Sequence, residues 1–110
     1  VPGGAETTHL INAEVLGAMQ SHAHLINIAR GEVVEEAALI DALQNRQIGG
    51  AGLDVYEFEP KVPQALIDLD NATLLPHLGT ATEEVRSDMG HMALDNVAAY
   101  LNGAALPNRV

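Results

Sequence analysis

Three short apolar stretches, each ending in turn residues, limit this chain to a small set of folds. The first is Leu25-Ile26-Asn27-Ile28, which stops abruptly at Ala29-Arg30-Gly31. The second lies within residues 48–55, where three glycines lead into Leu53-Asp54-Val55, and the third is Thr73-Leu74-Leu75, broken by Pro76. Stretches dominated by Leu, Ile and Val suit strands of a sheet covered on both faces. Helical patterns separate them, and strands alternating with helices make βαβ units and a parallel sheet.

The helix signals are local and physical. Asn12 is placed to cap a short helix beginning at Ala13, with Glu14 near its positive end. Residues 34–46 read as a second helix with an apolar stripe of Ile40 and Leu43, flanked by Ala37 and Leu39. Glu32, Glu35 and Glu36 crowd its start and Arg46 lies near its end, the polarity a helix dipole favours. A loop over 56–62 carries Glu57, Glu59 and Pro60, and Pro63 opens a helical turn. Thr80 and Glu83 have capping-box spacing and open a long helix to Asn102, stopped by Gly103. Val85, Met89, Met92 and Tyr100 lie on one side of that helix, with Leu94, Val97, Ala98 and Leu101 on another, so it expects burial twice over. Three or four short parallel strands make only half of a doubly wound sheet. The expected fold is α/β, incomplete at one sheet edge and along the last helix.

Composition narrows the function classes. At 110 residues the chain is one domain at most. Aromatics are only 3%, so the core must be aliphatic. The absence of cysteine removes disulfides, thiol nucleophiles and cysteine-based metal sites. Fifteen acidic residues against five basic ones give a formal charge of −10, which argues against nucleic acid as a partner. No apolar run approaches the roughly 20 residues that span a bilayer, and nothing at the start resembles a signal peptide. A cytoplasmic protein without a membrane partner is the expectation.

With so few cations, Arg30 stands out. An arginine at the carboxyl end of an apolar strand needs water or an anion, and open α/β sheets bind ligands at that end. Two readings stand: a residue that caps a turn or pairs with a surface carboxylate, or one presented to a ligand. Gly50-Ala51-Gly52 does not make a dinucleotide fingerprint, because it leads into a strand rather than a helix and no third glycine follows. Close packing explains it better. His22 and His24 lack a third ligand, so no metal site is expected, and His9 and His91 carry no signal beyond surface position.

Arg30, Asp54, Glu59 and His77 each lie at or just beyond the end of an expected strand, and a parallel sheet would bring them to one rim. Histidine supplies a proton near neutral pH and a neighbouring glutamate orients it. Arginine offers a fork for a carboxylate. No serine or cysteine nucleophile accompanies them, which points to proton-coupled reduction or oxidation of a small oxyacid.

Three motifs in order sharpen this: Leu25-Ile-Asn-Ile-Ala-Arg30-Gly31-x-Val-Val-x-Glu-x-Ala-Leu, Gly50-Ala-Gly-Leu-Asp54-Val-Tyr-x-x-Glu59-Pro60, and Leu75-Pro76-His77-Leu-Gly-Thr-Ala-Thr. They closely resemble the D-isomer-specific 2-hydroxyacid dehydrogenases over almost the whole chain. Val1-Pro2-Gly3-Gly4 through Thr7 looks most like the glyoxylate/hydroxypyruvate reductase branch. The resemblance implies that residues 1–79 are the second half of a Rossmann-like doubly wound NAD(P)-binding domain. Residues 80–110 would be the long crossover helix and tail, returning to a substrate domain supplied by the N-terminal part of the same protein. It implies Arg30 as the anchor of a 2-oxoacid or 2-hydroxyacid substrate, His77 as proton donor and Glu59 as its partner. It further implies cofactor contacts, to NAD or NADP, from Val1, Pro2 and Thr7 near the adenosine ribose. Ile28, Ala29, Arg30, Asp54, His77 and Gly79 would serve the nicotinamide end. A homodimer is implied as well.

Departures are few. Ser21-His22-Ala23-His24 stands where members often carry a Pro-Gly turn, Tyr56 replaces a frequent Phe, and the Gly-x-Gly-x-x-Gly loop is not among these residues. A non-enzymatic corepressor-like module keeping the fold is the alternative, disfavoured by the intact Arg30, Glu59 and His77.

Overall fold

The three strands form one parallel sheet in sequence order: β1 (His24–Asn27), β2 (Gly50–Leu53) and β3 (Ala72–Leu74). A computed structural model describes residues 1–109, in two compact units, Val1–Leu78 and a second that begins at Gly79. β1 and β3 each sit one residue earlier than the apolar runs suggest, so Ile28 and Leu75 lie beyond their ends.

Register explains which face is buried. Leu25 pairs with Ala51 and Ala51 with Ala72; Asn27 pairs with Leu53 and Leu53 with Leu74. These rows share one face because side chains alternate along a strand. Leu16 of helix α1 (Ala13–Ala18), Leu39, Ala42 and Leu43 of α2 (Glu36–Gln44) and Leu66 of α3 (Gln64–Ile67) build one aliphatic core with Ala51 and Leu53. All three helices thus serve the same side of the sheet. The intervening row, Ile26, Gly52 and Thr73, occupies the other face, where Ile26 is 64% exposed. The expectation of strands covered on both faces therefore holds for one face only, since no helix of the first unit is left to cover the second.

Helix starts follow capping chemistry. The Asn12 side chain accepts from the Val15 amide, as expected. α2 begins at Glu36, two residues later than the apolar pattern suggests, because Val34 bridges Ile11 and residues 31–33 turn as a short 3₁₀ segment. Its buried stripe is Leu39, Ala42 and Leu43, with Ile40 half-buried and Ala37 exposed. Gly50 serves close packing, since a Cβ there would lie 2.8 Å from the Asn71 carbonyl oxygen.

In the second unit, α4 spans Glu83–Leu101 and is capped by Thr82, which accepts from the Val85 amide, rather than by Thr80. Gly103 follows it at φ +65°, the left-handed stop expected. Its apolar residues, among them Met89, Leu94, Val97 and Leu101, are exposed. No described helix is long and apolar enough to cross a membrane.

Candidate active site at the carboxyl rim of the sheet

The strand register sets Asn27, Leu53 and Leu74 side by side, so the segments that follow them leave one edge of the sheet. Arg30, Asp54 and His77 lie on these segments, as the sequence predicts. Each is held by a different device.

Asn27 shapes the Arg30 turn. It is 95% buried, donates from Nδ2 to the Arg30 carbonyl at 3.0 Å and accepts at Oδ1 from the Ala29 amide at 3.1 Å. A buried amide thus closes the turn on itself. The exposed Arg30 guanidinium donates to the Ala29 carbonyl at 2.7 Å and makes no ion pair among the described residues. Pairing with a surface carboxylate is not realised, and its remaining donors suit a small anion.

The loop after β2 is fastened to the segment after β3 at three points. The Asp54 Oδ1 accepts from the Leu78 amide at 2.6 Å, and the Tyr56 hydroxyl donates to the Leu75 carbonyl at 2.8 Å. The Glu59 carboxylate accepts from the Tyr56 amide at 3.0 Å with one oxygen and meets His77 Nδ1 at 2.9 Å with the other. The His77 hydrogen bond, helped by the Tyr56 amide, holds the Glu59 carboxyl below its ordinary value of 4.5. A carboxylate facing Nδ1 keeps the proton on that nitrogen and leaves Nε2 for a second partner. His77 itself has φ +56°, a conformation rare for non-glycine residues and concentrated at functional sites. Burial, and then Asp54, push the Tyr56 hydroxyl above its ordinary value, so it remains a neutral donor. A recess of about 410 Å³ is lined by the pair together with Val62, Ile67 and Leu74.

The other sequence-derived positions are placed as follows. Ile28 is 76% exposed just past β1, and Ala29 beside it is half-buried. Val1 and Pro2 are exposed, and the Thr7 hydroxyl donates to the Pro2 and Gly4 carbonyls, holding an N-terminal turn. Gly79 opens the second unit. Among the described residues no group of three His, Cys, Asp or Glu side chains could hold a metal.

Sequence reading missed Asn27, whose signal is a lone amide inside an apolar strand, and it misjudged His9. That histidine is half-buried, with Nε2 2.7 Å from Glu57 Oε1. The pair joins residues 48 apart, so no local spacing announces it. Glu57 Oε2 in turn accepts from the Glu36 amide at 3.0 Å. Burial raises the carboxyl of neighbouring Glu36 above its ordinary value; a hydrogen bond from Glu57 opposes the rise and the charge of Glu57 adds to it.

Comparison with known proteins gives this rim a lineage. Residues 1–79 match the family model of the D-isomer specific 2-hydroxyacid dehydrogenase NAD binding domain. Glyoxylate/hydroxypyruvate reductase B of Pectobacterium carotovorum is 50% identical over 111 residues, covering all of this chain and 35% of that protein. Hydroxyphenylpyruvate reductase of Plectranthus scutellarioides is 48% identical, over 92% of this chain and 32% of its own length. The NADPH-dependent glyoxylate/hydroxypyruvate reductase of Sinorhizobium meliloti, solved with NADP and malonate, superposes with a TM-score of 0.98 at 45% identity. That match covers all of this chain and 34% of the solved one. The chain spans about a third of the length of the curated relatives it matches. By fold, by motif and by the extent of the match, it belongs to the D-isomer specific 2-hydroxyacid dehydrogenases.

Proposed function

We propose that this chain acts within an NAD(P)H-dependent reductase of small 2-oxoacids of the glyoxylate or hydroxypyruvate type. The remainder of the relatives' length would supply the phosphate-binding glycine loop and most of the substrate domain. Residues 1–79 serve as the second half of the cofactor domain, and residues 80–110, a long helix and tail, belong to the substrate domain. The observation that carries the reading is the 2.9 Å Glu59–His77 pair, set on the same sheet edge as a guanidinium without a carboxylate partner.

Bound NAD(P)H would supply a hydride to the 2-oxo carbon. The residues present fit its nicotinamide end: Ile28 offers an exposed apolar side chain, with Ala29 beside it, and Asp54 places a buried carboxylate on the same rim. Gly79 and the turn of Val1, Pro2 and Thr7 are assigned to the nicotinamide and adenosine ends respectively. Arg30 holds the substrate carboxylate through its guanidinium fork. Protonated His77 gives the proton on Nε2 to the substrate oxygen as negative charge develops there. Glu59 orients the ring through its contact with Nδ1. We further assign the protein to the cytoplasm and to a homodimeric state, which light scattering on the purified protein would check.

The decisive measurement is NADPH consumption with glyoxylate in the full-length protein. His77→Ala is expected to lower the rate by about 10²–10⁴-fold, the usual worth of a positioned acid. Arg30→Ala is expected to abolish measurable reduction. Near-normal turnover in either variant would defeat the assignment.

A further inference from the structure

The His9–Glu57 pair lies outside the chemistry just described, yet it joins two of the segments that carry it, the stretch after Arg30 and the loop bearing Glu59. His9 ends a turn, and the residues from His9 to Ile11 are sewn to the stretch after Arg30: the His9 amide donates to the Glu32 carbonyl at 2.8 Å and the Ile11 amide to Val33 at 3.0 Å. The Glu35 amide returns a bond to the Ile11 carbonyl at 2.9 Å. Glu57 sits in the loop that carries Glu59, two residues before it. Its carboxylate spans the gap, with one oxygen on His9 and the other on the Glu36 amide, the first of α2. No side chain adjacent in sequence caps α2, because Glu35 makes no cap bond; the cap comes from Glu57, across 21 residues. His9 also holds φ +53°, a conformation that costs free energy in a non-glycine residue and persists where the surroundings dictate it.

We infer that His9 and Glu57 are positioning residues. Together they form a strut that fixes the Arg30 turn and the start of α2 against the loop bearing Glu59, and so sets the anchor and the proton donor at one spacing. The inference rests on the reductase reading, because only a substrate held at both ends makes that spacing matter for rate. A misplacement of about 1 Å between such groups costs up to about 10²-fold in rate.

The test uses the full-length protein with NADPH and glyoxylate, and reads turnover beside amide hydrogen exchange. Glu57→Ala is expected to lower kcat by about 10-fold to 10²-fold while the dissociation constant for NADPH stays within about threefold. The Tyr56 amide, which donates to Glu59, should exchange faster, and the Ala51 amide inside β2 should not. Glu57→Gln, which keeps an acceptor for Glu36 and a polar partner for His9, should restore most of kcat. His9→Ala removes only one end of the strut and decides the matter if Glu57→Ala fails to fold; it should show the same pattern more weakly. Unchanged kcat, or equal acceleration of exchange at Tyr56 and Ala51, overturns the strut. A wild-type protein that consumes no NADPH with any 2-oxoacid overturns the reductase reading instead, and the exchange measurement still judges whether the strut holds the loop.

Discussion

Glu59 shows how one side chain serves both the fold and the site. It receives the Tyr56 amide and faces His77, and these contacts lower its carboxyl below 4.5. A group whose folded pKa is depressed contributes stability above its unfolded value and loses it as pH falls through the folded one. The expected outcome is that wild type exceeds Glu59→Gln in urea-unfolding free energy at neutral pH, and that the gap closes as pH drops below 4.5. A gap that is flat across this range would show that the carboxylate charge does nothing for the fold. The pairing itself was legible in the sequence, because Glu59 and His77 follow successive strands of a parallel sheet. Neither of its supports was: the Tyr56 amide is backbone, and the left-handed turn of His77 has no glycine or asparagine to announce it.

At the scale of elements, the strands and α1 were readable because Asn12, the apolar runs and Pro76 act over a few residues. Boundaries shifted where distant backbone competed. Residue 34 falls within the helical apolar pattern but Val34 is drawn into a bridge with Ile11, and α2 starts only where Glu57 can satisfy its first amide. Thr80 has the right spacing for a capping box, yet Thr82 takes the cap. The tightest junction joins the Arg30 turn to the loop after β2 at Gly31. A Cβ on Gly31 would lie 1.8 Å from the Tyr56 carbonyl oxygen, and backbone cannot yield as a side chain does. Gly31→Ala should therefore destabilise the chain by about 3 kcal/mol, the upper end of overpacking costs. It should also depress reduction, because it pushes the Arg30 turn from the loop that holds Glu59. A variant with a wild-type melting temperature would mean that the two segments can separate freely.

At the scale of the molecule, the fold class was legible because βαβ alternation admits few arrangements. The one-sided burial of the sheet was not, since hydrophobic strands carry no mark of whether the helices that cover them lie within the same residues. All three helices of the first unit pack on one face, and Ile26, Gly52 and Thr73 form a row on the other. If the chain works within a polypeptide of its relatives' length, as proposed, that second face is covered there, and Ile26 is core in one setting and surface in the other. Ile26→Asp should then cost little in the 110-residue chain, where the side chain is already 64% exposed. In the full-length protein the same change buries a carboxylate without a partner and should cost about 3 kcal/mol or more. Urea unfolding of both lengths, each with and without the substitution, measures the difference directly. Equal penalties in the two would mean that the open face stays open in the longer protein.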